Sequence, residues 1–380
     1  MLNFISNLPR HVRSGGFSAI NAAAFGTLSK HFEVQYVGPI DPAVVLRQKV
    51  VSKLRRLAGA RGNFFFFSHE RLETIAREVA HRSARDADLD FFHGFTPWIL
   101  TRPGRPYVAW SDATFHDYIE IYHPLDQFRH EDIRRIEDLE AEWLNKAERV
   151  LFTSRWAADR GITQYRLNPS RVDTVGIFGE MEMPVTDTYA GGRELAFIAT
   201  DFERKGGRVV LDAFRRVRTS HPNAALIVVG DKPRDLSAAD GLSFAGFLRK
   251  ESPDELRRYR DILSRARAVV NATISDVSPL LPVEAGYFGC PAISSRRYAI
   301  PELIDDKRTG LLIDDPSNAN EMAAAMTTML DENDLYLAMR RAVWKKTREE
   351  HSRQRFEDRL SSEVINVLTG TRTQSITTAP

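Results

Sequence analysis

The sequence has very little cysteine and no long apolar run. Its single cysteine, Cys290, excludes an internal disulfide framework, and its apolar surroundings favour a small packed residue over a nucleophile. The N-terminus, MLNFISNLPRHVRSGG, lacks the features of a signal peptide, and no run approaches the roughly 18 apolar residues of a membrane span. We therefore expect a cytoplasmic protein that is soluble or lies on a membrane surface.

The chain also lacks an excess of charge of one sign. It has 53 Lys and Arg against 51 Asp and Glu, a balance that offers nothing general to nucleic acid. The GxGxxG dinucleotide fingerprint and the GKS/T of a nucleoside-triphosphate loop are both absent, and no His set has metal-ligand spacing. These absences argue against a nicotinamide or flavin enzyme, and we expect no metal or other cofactor.

Length and patterning predict two α/β domains. At 380 residues the chain is too long for one average core. Short apolar segments alternate with segments of helical spacing, and the alternation resumes after a Pro-, Thr- and Gly-containing stretch at 180–194. Two tandem open sheets favour a ligand in a cleft between them. The predicted strands are 2–7, 32–38, 89–94, 106–112, 149–154, 171–178, 194–200, 224–230, 242–247, 268–273, 291–295 and 310–314, and the main predicted helices are 17–30, 68–83, 127–148, 155–166, 206–220, 252–266, 279–288, 317–330 and 333–367.

The stretch DVSPLLPVEAG (276–286) places carboxylates at Asp276 and Glu284, with seven residues between them. Pro279 suits the first turn of a helix and Ser278 suits its cap, so free backbone N–H groups at the helix start are expected to attract phosphate. Carboxylates accept paired hydroxyl groups, which suits sugar and ribose. The alternative is an acid that stabilises a helix start, together with an unrelated surface Glu.

Two further stretches suit phosphate. In FERKGG (202–207), Lys205 is followed by two glycines that permit close backbone approach, and Arg204 or Arg208 supplies further positive charge. The alternative for this stretch is a solvated basic turn. In RSGGFSAI (13–20), Gly15 and Gly16 occupy the phosphate-loop position of a doubly wound sheet, a weak signal by itself.

Together these stretches resemble the family-four retaining glycosyltransferases, which have the GT-B fold of two facing Rossmann-like domains. The resemblance spans nearly the whole chain. The acid pair is its most specific part, and LFTSRWAADRGITQY (151–165), VVGD (228–231), YFGCPAI (287–293), AIPELI (299–304) and HSRQRFEDRL (351–360) support it. It implies an N-terminal acceptor-binding domain at 1–180, joined by a return helix at about 345–367, a donor-binding domain at 181–344, and a flexible tail at 368–380.

The resemblance also implies residue roles. Asp276 would contact the hydroxyls of the donor sugar, Glu284 the nucleotide ribose, and Lys205 the phosphates. The family's mechanism releases a diphosphate through an oxocarbenium-like state with retention, and no protein nucleophile is assigned. The backbone around the sugar and diphosphate would come from Val277, Ser278, Pro279 and Leu280, from Gly16 with Gly15, and from Gly230 in VVGD.

Three positions depart from the family pattern. Asp276 replaces the usual Glu, and Thr200 stands where a phosphate-binding Arg is usual, so that Arg204 or Arg208 substitutes or the phosphate is held more weakly. Ser111 stands where many members have a His that contacts the transferred sugar, while Asp112 matches the acid that often follows. His93 and His116 lie nearby in sequence and are interpreted as structural.

The stretch 44–62, VVLRQKVVSKLRRLAGARG, contains six basic residues and no acid. It suits a helix lying on an anionic membrane, with FFFF (64–67) dipping into lipid, and such a surface would deliver a lipid-linked acceptor. The alternative is an ordinary amphipathic helix packed on the sheet, with FFFF as a core strand.

The sequence thus predicts a glycosyltransferase of the hexosyltransferase type, which moves a sugar from a nucleoside diphosphate-sugar to a glycan or lipid-linked acceptor in polysaccharide or glycoconjugate biosynthesis. It would be cytoplasmic or peripheral at the inner face of the cell membrane. One alternative is a catalytically inactive sugar-nucleotide-binding or assembly protein on the same fold. A second is a disaccharide phosphorylase or synthase.

Overall fold

The computed structural model describes residues 1–11, 17–189 and 192–370. The chain divides into two compact units. One contains Met1–Gly176 and the C-terminal segment from Phe356, and the other contains Ile177–Arg355. In the described part of the chain, no helix is both long and apolar enough to cross a membrane.

The N-terminal unit is built on a parallel six-stranded sheet with strand order β2-β1-β3-β4-β5-β6. Alternate side chains of its strands reach both faces: Phe92 packs on Trp143 on one face, and Phe4 packs on Phe25 on the other. Its elements are β1 (Leu2–Ile5), α1 (Phe17–His31), β2 (Val34–Val37), α2 (Leu46–Leu57), α3 (His69–Arg82), β3 (Leu89–His93), β4 (Tyr107–Ser111), α4 (Phe115–Tyr122), α5 (His130–Asn145), β5 (Arg149–Phe152), α6 (Arg155–Tyr165) and β6 (Val172–Thr174).

The C-terminal unit has a second parallel six-stranded sheet, of order β12-β11-β10-β7-β8-β9. Leu195 and Phe197 lie in one buried cluster and Ala196 lies in another, so the sheet is covered on both faces, as the apolar strand runs predict. Its elements are β7 (Glu194–Ala199), α7 (Gly207–Ser220), β8 (Ala225–Gly230), β9 (Leu242–Gly246), α8 (Pro253–Arg265), β10 (Ala268–Val270), α9 (Leu281–Gly286), β11 (Ala292–Ser295), α10 (Ile300–Leu303), β12 (Gly310–Ile313), α11 (Ala319–Asp331) and α12 (Asn333–Glu350).

The helical stretch predicted at 333–367 consists of two helices in the structure. α12 ends at Glu350, and α13 (Arg353–Thr369) begins after Ser352, whose hydroxyl accepts a hydrogen bond from Arg355 N at 3.3 Å. α12 packs on Gly286 of α9, where a side chain would collide with Thr347, and therefore belongs with the C-terminal unit. From Phe356 onwards α13 belongs to the N-terminal unit, where Glu363 pairs with Arg149 at 3.0 Å.

The interpretation of FFFF as a core strand is wrong. Phe64 is buried and its ring packs edge to face on Phe115 and Phe128, at centroid distances of 5.4 and 5.2 Å. Phe65–Phe67 form one turn of 3-10 helix, in which Phe66 is exposed. Aromatic residues are enriched in strands, so four in a row favour a strand. In the structure they form a turn instead, and only Phe64 is deeply buried.

Candidate active site

Two loops of the C-terminal unit bring Lys205 and Asp276 together. Lys205 follows β7 and Asp276 follows β10, and these neighbouring parallel strands flank the point where the strand order reverses. Open α/β sheets bind ligands at such a point. The Lys205 ammonium donates a hydrogen bond to Asp276 Oδ2, and the side chains remain 17% and 29% exposed. A cation for phosphate and a carboxylate for hydroxyl groups therefore lie side by side where solvent reaches both.

Gly206 is required by the contact between these two loops. It has a φ of +70°, and a Cβ there would lie 2.2 Å from the carbonyl oxygen of Ala272. Two residues earlier, Arg204 O accepts a hydrogen bond from Ile274 N at 2.9 Å. The sequence pattern predicts that Gly206 lets the backbone approach a ligand. In the structure, Gly206 lets the loop of Lys205 approach the loop of Asp276. This contact fixes Lys205 beside Asp276.

The helix predicted at 279–288 begins later than expected, so Ser278 is not its cap. α9 begins at Leu281, and Pro282 rather than Pro279 lies in its first turn. A helix starting at 279 would place Pro282 where an intrahelical N–H is needed, whereas the later start places it where no such bond exists. Ser278 Oγ is buried and has no hydrogen-bond partner among the described residues.

The loop before α9 is anchored without helical hydrogen bonds. Val277 is fully buried, and its carbonyl accepts a hydrogen bond from Ala299 N at 3.1 Å. Pro279 is buried, while Leu280, which precedes the helix, is half-buried. The backbone that is predicted to surround the donor sugar thus forms an anchored loop. Contact between a sugar and the four residues from Val277 to Leu280 stays a prediction.

Glu284 is buried among donors of its own unit. Its side chain is 2% exposed. Its Oε1 accepts hydrogen bonds from Glu180 N at 2.9 Å and Lys250 Nζ at 2.5 Å, and its Oε2 accepts one from the Tyr259 hydroxyl at 2.8 Å. A carboxylate has about four acceptor sites, so three are used. Ribose hydroxyls that bind Glu284 as a pair would have to displace one of these donors.

Sequence reasoning missed all three partners of Glu284. The one sequence signal for these partners was the position of Lys250, which follows β9 at the carboxyl edge of the same sheet. Burial alone would lower the pKa of Lys250, but the charges of Glu284 and Glu180 outweigh it, so the pKa is raised and the ammonium stays charged. Burial raises the pKa of Glu180, whose carboxylate lies 3.3 Å from the same ammonium. The carboxylates of Glu284 and Glu180 therefore pair with the same ammonium, that of Lys250.

The other predicted phosphate contacts lie on the surface. Thr200 is exposed at the end of β7. Arg204 Nε donates to Asp201 Oδ2 at 2.6 Å, and Arg208 donates to Asp235 at 2.7 Å. The cation that binds Asp276 is Lys205. Substitution of either for the missing family Arg stays a prediction.

Gly230 is required by strand packing. It ends β8 with a φ of +113°, and a Cβ there would lie 1.8 Å from Ala199 O of the neighbouring strand. This explains the glycine without a ligand, so its donor contact stays a prediction. Gly15 and Gly16 lie outside the described residues, as does the predicted flexible tail from residue 371 onwards.

Asp112 lies in the N-terminal unit, directly after β4. Ser111 is buried at the end of that strand, and its hydroxyl lies 3.4 Å from Asp112 Oδ1. His116 pairs with Glu137 at 2.7 Å, and this hydrogen bond raises its pKa. His93 is fully buried, which lowers its pKa to about 3 and keeps the ring neutral.

Reactive cysteine and metal chemistry find no support in the described residues. Burial raises the pKa of the Cys290 thiol to about 12, which leaves it protonated, as its interpretation as a packed residue requires. Within residues 1–11, 17–189 and 192–370, no three His, Cys, Asp or Glu side chains form a group that could hold a metal ion. Operation without a metal stays a prediction.

The sequence profile of the family Glycosyl transferases group 1 matches residues 181–347, the segment that carries Lys205, Asp276 and Glu284. Residues 181–347 are therefore a domain that matches this glycosyltransferase family. A curated relative, D-inositol 3-phosphate glycosyltransferase from Corynebacterium kroppenstedtii, is 26% identical over 223 residues. That match covers 53% of this chain and spans about half, 49%, of the relative's length.

Solved structures confirm the α/β class and the GT-B fold. Sucrose-phosphate synthase from Thermosynechococcus elongatus matches with a TM-score of 0.69 at 14% identity, covering 97% of this chain and 99% of that one. HepE from Anabaena, in complex with UDP, matches with a TM-score of 0.66 at 13% identity, covering 96% and 99%. The fold that the sequence motifs indicated is thus confirmed, and the family match extends over residues 181–347.

Proposed function

We propose that this glycosyltransferase transfers a sugar, with retention of configuration, from a nucleoside diphosphate-sugar to a glycan or lipid-linked acceptor. The observation that carries the proposal is the Lys205–Asp276 pair at the reversal point of the C-terminal sheet. HepE, which has this fold, binds UDP and UDP-glucose. We assign the donor to the C-terminal unit and the acceptor to the N-terminal unit, in polysaccharide or glycoconjugate biosynthesis.

The proposed reaction uses Lys205 to stabilise the departing diphosphate. When the bond from the anomeric carbon to phosphate breaks, negative charge develops on the phosphate oxygens, and a fixed ammonium nearby lowers the barrier. In the structure that ammonium binds Asp276. An incoming phosphate competes for the ammonium and frees Asp276 to accept hydroxyl groups of the donor sugar. Phosphate binding and sugar binding are therefore coupled through one ion pair.

A donor screen tests this proposal. The thermal stability of the wild type is measured against UDP, GDP, ADP, TDP and their common sugar conjugates, and released nucleotide is assayed in the same wells. We expect a shift for one base with slow release of nucleotide from its sugar conjugate. Asp276→Asn should keep the shift with free nucleotide while turnover falls by roughly 10- to 100-fold, because the carboxylate contacts the sugar.

The screen separates the alternatives. Binding without turnover, even with crude lipid or glycan acceptors, would favour an inactive binding protein on this fold. Turnover that depends on inorganic phosphate or a free sugar would favour a phosphorylase or synthase. If no nucleotide shifts the transition, the assignment of the donor site is wrong.

We propose in addition that α2 lies on an anionic membrane and brings the enzyme to a lipid-linked acceptor at the inner face of the cell membrane. Leu46, Val50, Leu54 and Leu57 recur at helical spacing and are exposed, from 53% at Val50 to 75% at Leu57. Ser52 is the buried residue of this helix, and its hydroxyl donates to Asn63 O at 2.9 Å.

Helical geometry explains why the apolar face of α2 points outward. At 100° per residue, Ser52 lies about 180° from the apolar stripe, so its attachment to the unit directs the stripe to solvent. The alternative in which this helix packs its apolar face on the sheet is therefore wrong. Basic side chains flank the stripe, which matches the charge of an anionic lipid surface. The flanking basic residues of α2 are Arg47, Lys49, Lys53, Arg55 and Arg56.

Vesicle binding tests this surface. The double change Val50→Glu and Leu54→Glu should weaken sedimentation with phosphatidylglycerol-containing vesicles by at least about tenfold, because it removes apolar insertion and adds repulsion. The control is Val185→Glu, which alters another exposed apolar residue. Equal binding of the double variant and the wild type would contradict the proposed membrane surface.

A further inference from the structure

The start of α4 is held by side chains from α5 and α6 and by its own cap residue, Thr114. The first amides of a helix have no intrahelical acceptor. Here Phe115 N donates to Glu140 Oε2 at 2.6 Å, and His116 N donates to the Tyr165 hydroxyl at 3.1 Å. Asp117 N donates to Thr114 Oγ1 at 3.3 Å. All three leading amides thus have a side-chain acceptor.

Glu140 is the centre of this arrangement. It is fully buried on α5, and besides the Phe115 amide it accepts hydrogen bonds from Thr96 Oγ1 at 2.6 Å and from the Tyr165 hydroxyl at 2.9 Å. The Tyr165 hydroxyl therefore joins Glu140 to the next amide of α4. Neither hydrophobic packing nor helix propensity requires a carboxylate at this place.

Within the part of the chain that the structure describes, no cation pairs with Glu140. Burial raises its pKa to about 7, its three hydrogen-bond donors oppose that rise, and the nearby charge of Asp117 adds to it. Arg160 instead binds Asp117 Oδ1 at 2.5 Å and Glu120 at 2.5 Å. A buried carboxyl held only by neutral donors is costly, so a contribution to stability is a weak reason for its presence.

The loop that this network holds carries Asp112. Only Asp112, Ala113 and Thr114 lie between the end of β4 and the start of α4. When both ends of a three-residue connection are fixed, its backbone has little freedom. The position of Asp112 is therefore set by the sheet at one end and by the Phe115 amide at the other.

We propose that Glu140 is a positioning residue for sugar transfer. Through the Phe115 amide it holds the loop of Asp112 in the place that the reaction requires. This inference rests on the proposed function, which assigns the acceptor to the N-terminal unit that carries Asp112. In the sequence, Glu140 looks like one charged residue of an amphipathic helix. The sequence analysis therefore did not identify it as a functional residue.

The test compares Glu140→Ala with Glu140→Gln at pH 8, where the wild-type carboxyl is mostly ionised. Glu140→Ala should raise amide hydrogen exchange in peptides covering 111–117. It should also lower kcat by roughly 100-fold, with donor KM changed by no more than about twofold, because misplacement of a reacting group affects the chemical step. Glu140→Gln should restore most of kcat, because its amide oxygen can accept from Phe115 N while its amide nitrogen donates to Thr96.

Asp138→Asn is the matched control, since it removes a carboxylate from an exposed position of the same helix and should behave as the wild type. If Glu140→Ala does not fold, Tyr165→Phe replaces it, and a raised exchange at 111–117 with a smaller fall in kcat is expected. Unchanged exchange, or raised exchange with unchanged kcat, would overturn the inference. A wild type without turnover of any donor would instead overturn the proposed function on which the inference rests.

Discussion

Replacing Lys205 with alanine is expected to lower nucleotide-sugar turnover by about 100- to 1,000-fold, the usual cost of removing one fixed electrostatic contact to a developing negative charge. The change should also weaken binding of free nucleoside diphosphate, because the ammonium that meets the phosphates is lost. Released nucleotide measures the first effect, and the ligand-induced shift in thermal stability measures the second. The folded state should be little changed, since Asp276 remains partly exposed without its partner.

Lys345→Ala controls for the loss of one lysine from the same unit. Its ammonium is exposed on α12, where it forms a surface pair with Glu349 at 3.9 Å. We expect turnover close to that of the wild type. If Lys205→Ala and Lys345→Ala have the same turnover, Lys205 does not stabilise the leaving group and the donor site lies elsewhere.

Glu284→Ala is expected to have its first effect on stability. The change leaves the Lys250 ammonium, the Tyr259 hydroxyl and the Glu180 amide without the carboxylate that accepts their hydrogen bonds. Breaking a buried ion pair on one side costs about 3 to 5 kcal/mol, and the remaining contact of Lys250 with Glu180 places the expected loss at the lower end. A loss of about 3 kcal/mol is a large share of the stability of an ordinary domain. Urea unfolding measures it.

Nucleotide affinity of Glu284→Ala should be measured well below its unfolding transition, so that loss of affinity is separated from loss of folded protein. We expect weaker binding there, in accord with the ribose contact that the family resemblance implies. Glu284→Gln should be less destabilised because it keeps an acceptor oxygen, and Glu349→Ala on the exposed surface serves as the control. Weaker nucleotide binding with unchanged stability would show that the buried cluster does not support the fold.

Local pattern was sufficient to find the strands of the fold, but it did not predict α4. The predicted strand at 106–112 is β4 (Tyr107–Ser111), and the predicted strand at 194–200 is β7 (Glu194–Ala199). Both are short apolar runs that end at polar residues or turns, and these signals depend on neighbours in the sequence. Lys205 and Asp276 were each predicted to follow a strand of the second unit, but their direct contact was not predicted. It arises because residues that follow parallel strands of one sheet share its carboxyl edge.

The same local pattern misplaced the start of α9. Both Pro279 and Pro282 suit a first turn, and choosing between them required the hydrogen bonds of the turn that follows. The break before α13 was missed because charged helical spacing continues through His351 and Ser352. In each case the sequence predicted the right kind of element, and backbone hydrogen bonding decided its boundary.

By itself the sequence determined two tandem α/β units, the second of which resembles a glycosyltransferase domain, because apolar periodicity, glycine positions and motif spacing are local properties. Only the tertiary structure decided that Glu284 is buried against Lys250, that the apolar face of α2 is exposed, and that Glu140 holds the start of α4. These contacts join residues far apart in the chain. The sequence specifies the chemistry of each side chain. Which residues cover that side chain, and which residues bind it, depend on the elements that pack beside it.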